Sequence, residues 1–266
     1  MDENYEKYRE ILISPVRQCA SYNPKFGHRQ DGGLTFLDFQ SLYGQDAFYN
    51  WLGLNDKLVY SAHKAAGGIT SIYRQIGIGC ERMVREIFKD STGLTSDEVT
   101  WSYSVSAPNG IRTLSLDGRI VVDKIKDPAR KRTISGWVKD LTGQLQLDAS
   151  VANAMQGVVF EVRQGYKSRD SKRQNADISN ASNAYANGYI PCLMIMSSQI
   201  DEEIITRYGL AKWCILLGYA AGNSMNSTYS FFKEVIGFDM ADFMNKNQSF
   251  FRNEMQTVFE QLLRTG

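Results

Sequence analysis

The hydrophobic positions of this chain change period along its length. The first part is spaced for helices. Asn4–Ile13 reads as a short amphipathic helix that Ser14-Pro15 should stop. Residues 22–34 carry the Pro, Gly and Asp of a loop. Thr35–Trp51 spaces Phe36, Phe39, Tyr43, Phe48 and Trp51 helically, as contacts to a core or a partner subunit. Leu58–Lys89 reads as helix, interrupted at Gly67-Gly68 and again near Gly77 and Gly79, with a stripe that includes Ile72, Ile76, Met83, Val84 and Ile87.

From Glu98 the period drops to two. Val99, Trp101, Tyr103 and Val105 alternate with polar residues, a strand pattern that Pro108-Asn109-Gly110 turns. Ile111–Leu116 and Arg119–Val122, split by Asp117-Gly118, predict a hairpin. Leu145–Val151 and Val158–Val162, split by a polar stretch ending in Gly157, predict a second. A polar helix from about Ser171, with Ala176, Ile178, Ala181 and Ala184 on its apolar side, leads to the continuous apolar run Tyr189–Met196. That order predicts a buried strand reached by a right-handed parallel crossover. Asp201–Leu217, Ser227–Ile236 and Gln248–Leu263 read as closing amphipathic helices. The expected fold is α/β, a mixed central β-sheet flanked by helices. No repeat or linker divides it, so residues 1–266 are expected as a single domain: a mostly helical part over 1–95, a sheet core over 96–200 and C-terminal helices over 201–266.

Composition narrows the chemistry. The 43% hydrophobic and 22% charged content is ordinary for a globular protein. No apolar run approaches a membrane span, and the acidic start MDENYEKYRE is no secretory signal, so a cytoplasmic protein is expected. Cys19, Cys80, Cys192 and Cys214 are scattered in apolar company, as buried thiols would be. With only His28 and His63, zinc hydrolysis and Ser-His-Asp catalysis are weakly supported. The net charge of +1 hides two basic clusters, Lys124–Arg132 and Arg163–Arg173, which bracket the second hairpin in sequence.

That hairpin carries the candidate chemistry. Antiparallel pairing would set Asp148 on one strand against Glu161 on the next, and Asp123 is the rival for the first acid. Two carboxylates with cations at the exit, Arg163 and Lys167 foremost, make a place where a divalent metal and a phosphodiester meet. The amino end of the helix near Ser171, with Lys172 and Arg173, adds an anion site.

At these residues the chain resembles the PD-(D/E)xK nucleases, and within them the type II restriction endonucleases. Asp148 opens DASV as the family's first Asp commonly opens its strand, and Glu161-Val162-Arg163 occupies the acid-x-Lys slot, with Arg163 where the lysine usually stands. The resemblance implies a restriction-endonuclease-like core, Mg²⁺ held by Asp148 and Glu161, and an additional metal-site Glu from the preceding helix, for which Glu81 is the candidate. It implies sequence-specific cleavage of double-stranded DNA by a homodimer. Lys167 is the expected catalytic cation and Arg163 its electrostatic support, because guanidinium does not give up a proton. DNA contacts are expected from Lys126, Arg130, Lys131, Arg132, Arg169, Lys172, Arg173 and Gln174. A repair or mobile-element nuclease, or a DNA-binding protein with a decayed metal site, are the alternatives.

Overall fold

The computed structural model describes residues 2–27, 31–107, 110–165 and 171–264. Its contacts divide the chain into two compact units, Met1–Gly79 with Lys246–Gly266, and Cys80–Asn245.

The first unit is helical. Its helices are α1 (Asp2–Arg17), α2 (Phe36–Gln45), α3 (Ala47–Trp51) and the first turns of α4 (Lys57–Thr92). Pro15 does not stop α1, which runs two residues further to Arg17. Thr35 and Asp38 cap α2 reciprocally. The expected interruptions of α4 do not occur. A Cβ on Gly67 would lie 2.1 Å from the Tyr22 hydroxyl, and one on Gly79 would lie 2.2 Å from the Leu12 carbonyl. These glycines serve close packing rather than breaking the helix. The C-terminal helix of the chain (Gln248–Leu263) packs here, with Val258 and Leu262 against Ile13, Val16, Cys19 and Ile72.

The second unit holds the sheets. β1 (Trp101–Ala107) and β2 (Gly110–Leu116) form a two-stranded antiparallel ribbon. Pro108 and Asn109, the expected turn, lie outside the described residues. A four-stranded sheet has the order β3-β4-β5-β6, built from Gly118–Val121, Gly157–Arg163, Tyr189–Ile195 and Cys214–Leu216. β3 is antiparallel to β4, while β4, β5 and β6 run parallel, so the sheet is of mixed orientation. The flanking helices are α5 (Pro128–Gln144), α6 (Ala149–Asn153), α7 (Ser171–Ala186) and α8 (Glu202–Leu210). On one face Phe160 packs with Phe88 and Phe231. On the other Val159, Leu193 and Ile195 pack with Ala181, Ala184, Tyr208 and Trp213. Burial on both faces explains why β5 reads as an unbroken apolar run and β4 as one interrupted by Glu161.

Neither expected hairpin forms. β2 does not turn back at Asp117-Gly118: the chain bends there and continues into β3, which pairs with β4. Leu145–Val151 is not a strand. It is the end of α5, a turn in which Gln146 adopts φ 50°, and the start of α6. Gly157 ends no hairpin turn. Its role is interstrand contact: a Cβ there would lie 1.9 Å from the Ile120 carbonyl oxygen on β3. The helix expected over Asp201–Leu217 stops at Leu210, and Cys214–Leu216 becomes the edge strand β6. Lys212, at φ 58°, makes the break. All four cysteines are free and buried. Among the described residues no helix is long and apolar enough to cross a membrane.

Candidate active site at the end of β4

The strand β4 is where acids enter the sheet. Its residues alternate across two apolar layers, so Val159, Glu161 and Arg163 share the face toward α7 and α8. Glu161 is only 6% exposed, a carboxylate that burial would make costly without partners. Arg163 supplies one, an ion pair from Nη2 to Glu161 Oε1.

The second acid stands where the chain enters β3. Gly118 pairs with Phe160 as the first pair of the ladder, and Asp117, the residue before it, sits at the bend. The Val162 amide donates to Asp117 Oδ2 at 2.8 Å. Burial pushes the Asp117 carboxyl up to about 6, and the charge of Glu81 pushes the same way; the Val162 amide, Arg163 and Arg85 oppose the shift. Glu81 lies on α4 and pairs with Arg85 at 2.7 Å, and Arg85 Nη1 also donates to the Asp117 carbonyl at 3.2 Å. A further buried acid comes from α7: Asp177 Oδ2 accepts from Arg163 Nη2 at 3.4 Å and from the hydroxyl of Tyr208 on α8.

Glu81, Asp117, Glu161 and Asp177 are thus linked with Arg85 and Arg163, four carboxylates against two guanidiniums. The set carries a formal surplus of two negative charges. Among the described residues no three His, Cys, Asp or Glu side chains converge as a ready-made metal cage. Asp117 and Glu161 both act on Arg163, Asp117 through its charge and Glu161 through an ion pair, and Mg²⁺ typically takes one or two carboxylates with waters and phosphate oxygens.

No known protein-family model, curated protein or solved structure matches this chain.

Of the residues singled out from sequence, Glu81, Glu161 and Arg163 belong to this cluster. Asp148 does not face Glu161, because the strand that would carry it is absent; it is exposed and opens α6. Asp123 is exposed in the short 3₁₀ turn after β3 and pairs with Lys131 at 3.1 Å. The segment 124–132 comes after the far end of β3, some five residues or roughly 15 Å of strand from Asp117. There, Arg130 Nη1 donates to the Val235 carbonyl at 2.9 Å, tying α5 to the turn that ends at Gly237, while Lys126 and Arg132 are exposed. Lys167 and Arg169 lie outside the described residues. Lys172, Arg173 and Gln174 occupy the first turn of α7, the helix that comes after the Arg163 end of β4; only their backbone is among the described parts.

Sequence reasoning missed Asp117 and Asp177. Asp117 was hidden in an Asp-Gly pair that imitates a tight turn. Asp177 carried a usable signal: it stands four and seven residues before Ala181 and Ala184, on the buried stripe of a polar helix.

Proposed function

We propose that this chain is a metal-dependent nuclease that hydrolyses double-stranded DNA, with a core like that of the PD-(D/E)xK enzymes and a type II, site-specific mode of action. The observation that carries the reading is Glu161 ion-paired with Arg163 two residues on along the same strand face, with the Asp117 carboxylate bonded to the intervening Val162 amide. This is the arrangement of acid, acid-x-cation that the family resemblance calls for, with Asp117 in the part expected of Asp148.

The donor set fits Mg²⁺: the Glu161 carboxylate, that of Asp117 on the adjacent Val162 amide, a third acid in Glu81 close enough to disturb Asp117, and a charge surplus matching one divalent cation. Asp117 and Glu161 would hold the ion, and Glu81 would contribute from α4. When bound, such a cation makes a coordinated water acidic and neutralises a nonbridging phosphate oxygen. The chain's own groups do the rest. Arg163 provides a fixed positive charge beside the phosphate; as a guanidinium it accepts no proton. Lys167 is the candidate for proton transfer. Lys172 and Arg173, in the first turn of α7, would approach the DNA backbone from the same end of the sheet, where the helix amino end favours phosphate. Two copies on a symmetric site would cut both strands.

The test is incubation of supercoiled plasmid with the protein and Mg²⁺. Discrete linear fragments are expected; nicking or junction cutting would indicate a structure-selective repair or mobile-element enzyme. Arg163 in the lysine slot, bonded to two acids, favours one further reading, a DNA-binding protein whose metal site has decayed. A gel shift without cleavage in Mg²⁺ or Mn²⁺ would establish that reading instead.

A further inference from the structure

Asp177 is 5% exposed and sits among the apolar side chains that α7 and α8 lay on the sheet. The neighbouring positions of that stripe, Ala181 and Ala184, are what simple packing uses. A carboxylate there has to be compensated. It is held on two sides, by Arg163 from β4 and by Tyr208, itself fully buried, from α8. Both donors bond the same atom, Asp177 Oδ2. Nη2 of Arg163 in turn bonds Glu161 as well as Asp177, so one guanidinium nitrogen is shared by two acids.

We infer that Asp177 is a positioning residue that retains the Arg163 guanidinium so that Glu161 can exchange it for a divalent cation. The inference rests on the nuclease reading. Glu161 has two competing cationic partners, its own strand neighbour and the metal. As the metal arrives, Arg163 loses one of the carboxylates that compensate it, and the exchange is opposed by whatever charge stays buried. Asp177 lowers that opposition because the guanidinium keeps a buried acid. Tyr208 fixes the carboxylate that does so. Asp177 touches no reacting atom in this scheme; it acts through Arg163.

The experiment is Mn²⁺ binding to the whole chain, followed by the electron paramagnetic resonance of free Mn²⁺ and needing no DNA or turnover. Asp177→Asn is expected to weaken binding by about tenfold or more, the scale on which the outer partners of metal ligands act. Tyr208→Phe leaves every charge in place and is expected to weaken binding in the same direction by a smaller factor. Removing the competitor, Arg163→Met, is expected to leave Mn²⁺ binding at least as tight as in the wild type and to abolish most of the effect of Asp177→Asn. Wild-type affinity in both single variants at positions 177 and 208 would overturn the inference and leave the nuclease reading standing. An undiminished effect of Asp177→Asn in the Arg163→Met background would also overturn it, because Asp177 would then act by its own charge. No Mn²⁺ binding by the wild type would remove both. Circular dichroism checks the folding of each variant, and where Asp177→Asn does not fold, Tyr208→Phe decides alone.

Discussion

Two five-residue segments of this chain share one pattern and have different fates. Leu114-Ser115-Leu116-Asp117-Gly118 and Leu145-Gln146-Leu147-Asp148-Ala149 both read Leu-polar-Leu-Asp-small. The first is strand, with Leu116 buried, and delivers its Asp to the candidate site. The second is the turn between two helices, with Gln146 left-handed and its Asp exposed. The difference lies outside the shared pattern. After Asp117-Gly118 come Arg119 and the β-branched Ile120 and Val121, which form the ladder of β3. Before Leu145 lies α5, started by Asp127 as cap and Pro128 in its first turn, and its last turns simply run into the segment. Alternation over four residues does not specify a strand; the flanks do.

The largest effect that separates the two segments is on cleavage. Asp117→Ala is expected to lower single-turnover cleavage in saturating Mg²⁺ by about a thousandfold or more, the scale of losing a group that stabilises transition-state charge. Asp148→Ala is expected to leave it within about twofold, as for a surface change away from the chemistry. Loss of activity in Asp148→Ala alone would reverse the assignment.

A second test probes the ladder that the first segment enters and the second does not. Gly157→Ala forces a Cβ against the Ile120 carbonyl and is expected to cost about 1–3 kcal/mol in urea unfolding. An unchanged midpoint would mean that β3 and β4 do not pair as described, and the site would lose its frame.

The middle residues give the smallest and most direct comparison. Ser115→Gly places a glycine inside a strand and is expected to destabilise by about 0.5–1 kcal/mol. Gln146→Gly relieves a left-handed backbone and is expected to stabilise by about 0.5–1 kcal/mol, by the same measurement. Equal signs for the two would break the contrast.

The same logic governs how much of the molecule was legible in the sequence. Long or strongly marked elements were readable: β4 and β5 as apolar runs, α4 by its stripe, Gln248–Leu263 by its spacing. They announce themselves because burial acts on every residue of them. The helix α5 was obscured by its basic start, and β6 by the amphipathic segment before it. Of the candidate site, Glu161, Arg163 and Glu81 are evident from sequence. Asp117 is not, because a bond to an amide 45 positions on leaves no local trace, whereas Asp148 lies conveniently near. Glycine misleads twice in one direction. Gly67-Gly68 and Gly157 suggest changes of chain direction, and their use is to let another group approach.

The bend at Asp117 has a mechanical side. The β1–β2 ribbon is a sheet of its own, and its second strand enters the main sheet through this single residue. At about 3.3 Å per residue, the seven residues of β2 make an arm roughly 23 Å long. Trp101 and Leu116 clamp the base of that arm in the core, while Ile111 near its tip is 80% exposed. The residue that joins the arm to the sheet is thus the one whose carboxylate is bonded to the Val162 amide on β4.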